Sequence, residues 1–273
     1  MLIAVELMGM VAPQPSLAKS DWPTPQPNTH LSAQTVLTLD VPILAYHHIG
    51  GHFSSPYNVS TKDFVAQMDY LAQHGYTTVS LDQIAAALRG QASLPACPVA
   101  ITFDDGYAEQ YTNARPVLQR HNFHATFYLV TGYISLTRTF MNWDQIKDLM
   151  HDGDWIGSHT YNHAFVGRLA GRALTYQIVD ATAKLESALG ISISTFSYPY
   201  GSFSLTAQRL ITDSGFTSAV WLGTSYHQSS DRIYKLNRIS VTLGSLVNFA
   251  LRLPRHGPRG IGECPSVTSP VNL

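Results

Sequence analysis

Residues 98–106 read PVAITFDDG, and the fold and the chemistry both follow from this stretch. Residues 99–103 form an apolar, β-rich run that leads without a break into two adjacent carboxylates, Asp104 and Asp105, and then Gly106. Asp-Gly is a common turn pair, so a plain turn is one reading. The other is chemical. Two carboxylates this close repel, and one is raised in pKa unless a cation intervenes. A metal resolves the conflict: one Asp ligates it and the other stays free as a base.

Working outward, strand and helix signals alternate along the chain. Strand-like runs lie at 41–47, 76–80, 99–103, 125–130, 155–158, 195–198, 219–221 and 239–241. Helical spacing covers 61–74, where Phe64, Val65, Met68, Leu71 and Ala72 share a face and Gly75 stops it. Further helical stretches are 81–88, 108–120, a helix from Asn142 to near Gly153, and 172–189 closed by Gly190. Asn142 is placed to cap its helix, with Gln145 three residues on reaching back. Such alternation implies α/β architecture with parallel strands joined by crossovers, a barrel or near-closed sheet. In barrels, active residues gather at the C-terminal ends of strands.

Three more motifs sit at strand ends. Residues 154–158, DWIGS, run into His159-Thr160-Tyr161-Asn162-His163. A four-residue spacing brings both imidazoles onto one metal if the backbone is helical or sharply turned; the alternative is two unrelated histidines among the twelve in the chain. With one Asp they make a three-ligand site with open positions, a pattern suited to Zn²⁺ or Fe²⁺. Residues 196–201, FSYPYG, supply either a Pro-containing turn or a groove wall at Pro199 and Tyr200, with backbone N–H groups to hold an oxyanion. Tyr46-His47-His48 ends the first strand, and a His there is either structural or a general acid.

Composition sets the bounds. Of 273 residues, 45% are apolar and 13% charged, which is globular and not disordered. The formal charge of −1 and the absence of a basic block exclude a nucleic-acid footprint. No GxGxxG or GxxxxGK[ST] supports a nucleotide site, and no CxxC pair supports a zinc ribbon. The two cysteines, Cys97 and Cys264, either pair or stand apart. Residues 2–11 are apolar apart from Glu6, and Ser16-Leu17-Ala18 follows; this reads as a degraded export signal or an irregular tail, too short for a membrane span. Residues 1–40 form a tail or linker, 41–253 the folded domain, and 254–273 a second irregular tail.

TFDDG, HTYNH and SYPYG, in that order, resemble the motifs of the polysaccharide deacetylases (family 4 carbohydrate esterases), over roughly residues 41–242. The resemblance implies a distorted parallel (β/α) barrel and hydrolysis of acetyl groups on a glycan. It implies Asp104 as general base, Asp105, His159 and His163 as ligands of a divalent metal (zinc, or iron, cobalt or nickel), and Tyr200 as the residue whose backbone N–H binds the oxyanion. The opening VPILAYHH resembles a permuted subgroup that includes poly-N-acetylglucosamine deacetylases, in which the general-acid motif comes first; His47 is then the acid, and His48 points elsewhere because successive strand side chains alternate faces. Trp221 is a candidate pocket wall or a core residue. Two departures stand out. The family pattern has an Arg, which steadies the base, where this chain has Ser197, and a larger apolar residue where it has Ala45. The resemblance implies an acetylated glycan as partner and a location outside the cytoplasm or at the cell envelope. Competing readings are an inactive glycan-binding domain, which would not need Asp104, a hydrolase of small amides or esters, and a structural metal domain, which would need a fourth ligand.

Overall fold

The computed structural model describes residues 36–51 and 54–254. The export-signal reading of residues 1–18, most of the N-terminal tail, the C-terminal tail and any bridge to Cys264 lie outside the described residues.

Seven strands close into a barrel: β1 (Ile43–Tyr46), β2 (Pro98–Phe103), β3 (Thr126–Leu129), β4 (Trp155–Ser158), β5 (Thr195–Ser197), β6 (Ser218–Gly223) and β7 (Leu236–Ser240). Each pairs in parallel with the next, and β7 pairs with β1 to complete the ring. The expected parallel (β/α) barrel is therefore the observed one. Helices α1 (Thr61–Gln73), α2 (Leu81–Leu88), α3 (Arg115–Arg120), α4 (Trp143–His151), α5 (Gly171–Thr175), α6 (Ala181–Leu189), α7 (Leu205–Asp213) and α8 (Leu246–Ala250) accompany it. Among the described residues no helix is long and apolar enough to cross a membrane.

Local chemistry sets the helix ends. Ser60 caps α1 by accepting from Asp63 N–H, and Phe64, Met68 and Leu71 recur on its buried face. Capping boxes start α2 (Ser80 with Gln83) and α4 (Asn142 with Gln145). Gly190 ends α6 in the left-handed conformation at φ 70°.

Strand alternation divides the apolar residues into two cores. Leu44, Tyr46, Ile101, Phe103, Phe127, Leu129, Ile156, Phe196 and Ile239 face the helical shell. Ile43, Ala100, Tyr128, Val220 and Leu236 fill the barrel interior. Gly157 is needed in that interior because a Cβ there would lie 2.4 Å from the Tyr128 ring.

At the opposite end from the motifs, Asp154 joins two strand starts: one oxygen accepts from Ala125 N–H at 2.8 Å. Burial pushes its carboxyl up to about 7, only partly offset by that hydrogen bond. A raised folded-state pKa means that the native chain binds the extra proton, so this group's contribution is lost as pH rises from about 4 through 7. Asp154→Asn keeps the acceptor and removes the charge. Its gain over the native chain should grow from near zero at pH 4 to on the order of 2 kcal/mol at pH 8, read as melting temperature across that range.

Candidate active site and metal centre

The motifs meet over the C-terminal ends of the strands. A cavity of about 210 Å³ is lined by His47, His48, Tyr57, Asp104, Asp105, Tyr107, His159, His163, Tyr198, Tyr200 and Leu222, with Ser55 at its edge. Asp104 follows β2, and its N–H is held by Tyr46 O at 2.9 Å. His159 follows β4, and its N–H is held by Leu129 O at 3.0 Å. The HTYNH segment is sharply turned and not helical, with Thr160 at φ 70° and His163 at φ 61°. Asp105 at φ 75° and Tyr200 at φ 58° are also left-handed. Non-Gly residues in this region cost energy and persist where the surroundings over-determine them.

Asp105, His159 and His163 each bring a ligand atom within 4.8 Å of the others. Asp105 Oδ1 lies 3.2 Å from His163 Nε2 and 3.6 Å from His159 Nε2. Ligands about 2.1 Å from a tetrahedral ion are about 3.4 Å apart. His159 Nδ1 lies 2.8 Å from Ser197 O, a carbonyl that can only accept, so Nδ1 carries the proton and Nε2 turns a lone pair to the site. Burial drives His159 down to about 3 despite the pull of Asp104, and burial also lowers His163. Both imidazoles are thus neutral, as ligation requires. Asp105 Oδ1 is buried without a hydrogen-bond partner. Burial pushes the Asp105 carboxyl up to about 6, helped by Asp104 and opposed by His47 and a Tyr107 hydrogen bond. An orphaned buried acceptor facing a neutral lone pair is an arrangement that a divalent cation relieves, and these donors fit one.

Asp104 is held differently. Burial alone would raise it, but the charge and hydrogen bonds of the Arg238 guanidinium, with His159 and His47, together outweigh burial and keep the carboxyl well below the usual carboxylate range. Arg238, from β7, is fully buried and binds both oxygens, Nη1 to Oδ1 at 2.7 Å and Nη2 to Oδ2 at 2.6 Å. Ser197 Oγ takes a bond from Arg238 Nη2 at 2.9 Å and reaches Asp104 at 3.3 Å. His47 Nε2 stands 4.0 Å from Asp104 Oδ2, and its ring lies against Tyr57 at 4.9 Å. Burial lowers the His47 pKa, opposed by both aspartates.

Three expectations need correction. Trp221 does not line the cavity: on β6, Val220 faces the interior, so Trp221 faces out, where its Nε1 donates to Asn237 and Lys235 lies over its ring. Leu222 lines the cavity instead. Pro199 is buried as the first residue of the turn Pro199–Gly201 and does not line it either. His48 was expected to point away from the pocket by strand alternation, yet it lines the same cavity as His47. The barrel strand ends at Tyr46, and His48–Ile49 begins a separate short strand paired with Asn58–Val59, so alternation does not carry across. His48 stacks on Tyr107 at 3.8 Å and meets Glu109 at 2.5 Å.

Sequence reading missed three bracing residues besides Arg238's role. Gln110 is fully buried, and its amide donates to His47 O (2.8 Å) and Asp104 O (2.6 Å), tying the two strand ends together. Gln177 accepts from Tyr161 and Asn162 N–H inside HTYNH. Both glutamines sit in single π-helical turns, Gln110–Ala114 and Tyr176–Asp180. Tyr107 braces Asp105.

The polysaccharide deacetylase family model matches residues 92–219, which hold Asp104, Asp105, His159, His163 and Tyr200. YxkH of Bacillus subtilis strain 168 is 26% identical over 204 residues, 75% of this chain and 72% of that protein. The poly-β-1,6-N-acetyl-D-glucosamine N-deacetylase of Escherichia coli K12 is 30% identical over 120 residues, which are 38% of this chain and 18% of that protein. Among solved structures, IcaB from Ammonifex degensii superposes with a TM-score of 0.68 at 29% identity, covering 74% of this chain and 92% of that one. Sequence motifs, barrel and the match over residues 92–219 agree on the polysaccharide deacetylase family as the one this chain resembles.

The dialysed protein is expected to take up one divalent ion per chain. His159→Ala and His163→Ala should each lower its affinity by more than the roughly 10–100-fold that loss of an outer hydrogen bond costs, as measured by calorimetry and elemental analysis.

Proposed function

We propose that this chain is a metal-dependent hydrolase that removes N-acetyl groups from a polysaccharide containing N-acetylglucosamine. The observation that carries the reading is the convergence, in one cavity, of a neutral-imidazole and carboxylate ligand set with a separate, ionised carboxylate and a facing imidazole. The name of the E. coli relative, a poly-β-1,6-N-acetyl-D-glucosamine N-deacetylase, supports the substrate class. Zinc suits the donor set best, with iron, cobalt and nickel as alternatives. A location outside the cytoplasm follows from the polymer.

Asp105, His159 and His163 would hold the ion. When bound, it supplies Lewis-acid polarisation of the acetamide carbonyl and a lowered water pKa. Asp104 takes a proton from the attacking water as the new C–O bond forms. The Tyr200 N–H supports the oxyanion. His47 gives a proton to the sugar nitrogen as the C–N bond breaks, leaving acetate and a free amine. Tyr57 and Tyr200, both partly exposed at the cavity edge, offer apolar surface to sugar rings.

Acetate release should be seen from N-acetylglucosamine oligomers or peptidoglycan in preference to acetylxylan, and should stop with chelator. Asp104→Asn should retain metal and lose about 10²–10⁴-fold in rate, because a neutral amide cannot accept the proton. Asp105→Asn should lose metal affinity, with partial recovery in excess metal. Near-full activity in Asp104→Asn would remove the base from the mechanism.

A further inference from the structure

The match to the family model ends at residue 219, before β7 begins. The side chain with the strongest hold on Asp104 comes from β7. Arg238 is the largest fully buried side chain among the described residues, and it stands inside the barrel. Interior register places it there: Leu236 faces the interior core, so Arg238, two residues on, shares that face. It reaches Asp104 through a column of small or hydroxylated neighbours. Nε bonds Trp221 O at 3.4 Å, Nη1 also bonds Thr102 Oγ1 at 3.2 Å, and the Tyr128 ring lies 5.7 Å away. Ser197 leaves room for the guanidinium and bonds it.

We propose that Arg238 is the positioning residue for the base: its two-pronged grip fixes the plane of the Asp104 carboxylate, and Ser197 is the small residue that admits the guanidinium from β7. A bidentate Arg–carboxylate pair sets two contacts at once, so the carboxylate cannot rotate without breaking one. Oδ2 is thereby held 4.0 Å from His47 Nε2 and 3.8 Å from His159 Nε2, between the proposed acid and a proposed ligand. A single-point cation would keep the charge and lose the plane. The inference rests on the deacetylase reading, because it assigns a role within that reaction.

The test compares wild type, Arg238→Lys, Asp104→Asn and Asp104→Asn/Arg238→Gln, with bound metal and circular dichroism measured for each. Arg238→Lys should keep fold, metal content and KM and lose roughly 10–100-fold in kcat, the scale of a misplaced reacting group. Since Arg238 acts through Asp104, adding Arg238→Gln to Asp104→Asn should change kcat by less than about twofold, as expected for groups that act as one unit. A folded Arg238→Lys with native kcat overturns the inference, and so does a further tenfold loss in the double variant. If Arg238→Lys does not fold, the neutral double variant decides alone. If wild type itself releases no acetate, the deacetylase reading falls and the inference with it. If wild type is active and Arg238→Lys equals it, only the inference falls.

Discussion

Two adjacent carboxylates, both buried at the mouth of a barrel, form the constraint around which the rest of the site is arranged. Asp104 is 2% exposed and Asp105 7%. Neither can be left as an uncompensated buried charge, since such a group neutralises or unfolds its surroundings. The chain compensates them with different partners. Asp104 receives a fixed guanidinium and stays ionised. Asp105 receives two neutral imidazoles and a phenol, none of which carries a full positive charge. The asymmetry makes one carboxylate a permanent anion and leaves the other with a buried oxygen that has no hydrogen-bond partner. Chemically identical side chains one residue apart thus come to suit different tasks through their surroundings alone.

The barrel accounts for how partners so far apart in sequence meet. Arg238 and Asp104 are 134 residues apart, yet β7 and β2 both border β1, so their inward side chains face each other across a short span. A closed ring has no edge at which this register could slip. The arrangement also explains the polar interior. Thr102, Ser197 and Thr195 stand where an all-apolar barrel would carry branched aliphatics. Their hydroxyls satisfy Arg238 and the Tyr128 hydroxyl, so the charge is buried with its hydrogen bonds complete. Such a network is costly only when half satisfied.

The sequence made the barrel and the cluster of Asp105, His159 and His163 legible because both are written in local patterns. Apolar runs followed by acids or histidines marked strand ends, and Asn142 with Gln145 marked a helix start. Arg238 was not legible. In LNRIS it reads as one polar residue in a strand with a solvated face, and only interior register shows it to be buried. Its signal, in retrospect, is the absence at Ser197 of the arginine expected there, since an ionised Asp104 still needs a cation. Trp221 failed for a related reason: a side chain one residue out of phase lies on the opposite face of a strand. His48 failed because alternation was carried past the end of the barrel strand. Gln110 and Gln177 gave no signal, because π-helical turns leave no distinct apolar period.

Of seven non-Gly residues with positive φ among the described residues, four are Asp105, Thr160, His163 and Tyr200, all within the motifs. Each such conformation costs on the order of 1–3 kcal/mol, a sum that a loosely held loop would shed by relaxing. The loops are not loosely held. Gln177 grips two N–H groups of HTYNH, Thr131 and Gly132 N–H bind its carbonyls at 3.0 and 2.7 Å, and Gln110 grips the carbonyls of His47 and Asp104. The bracing groups lie on elements packed against the barrel, so the stiffness of the ring is passed to the loops through hydrogen bonds. Strain is therefore concentrated at the residues that must point inward, and the closed barrel is what makes that concentration stable.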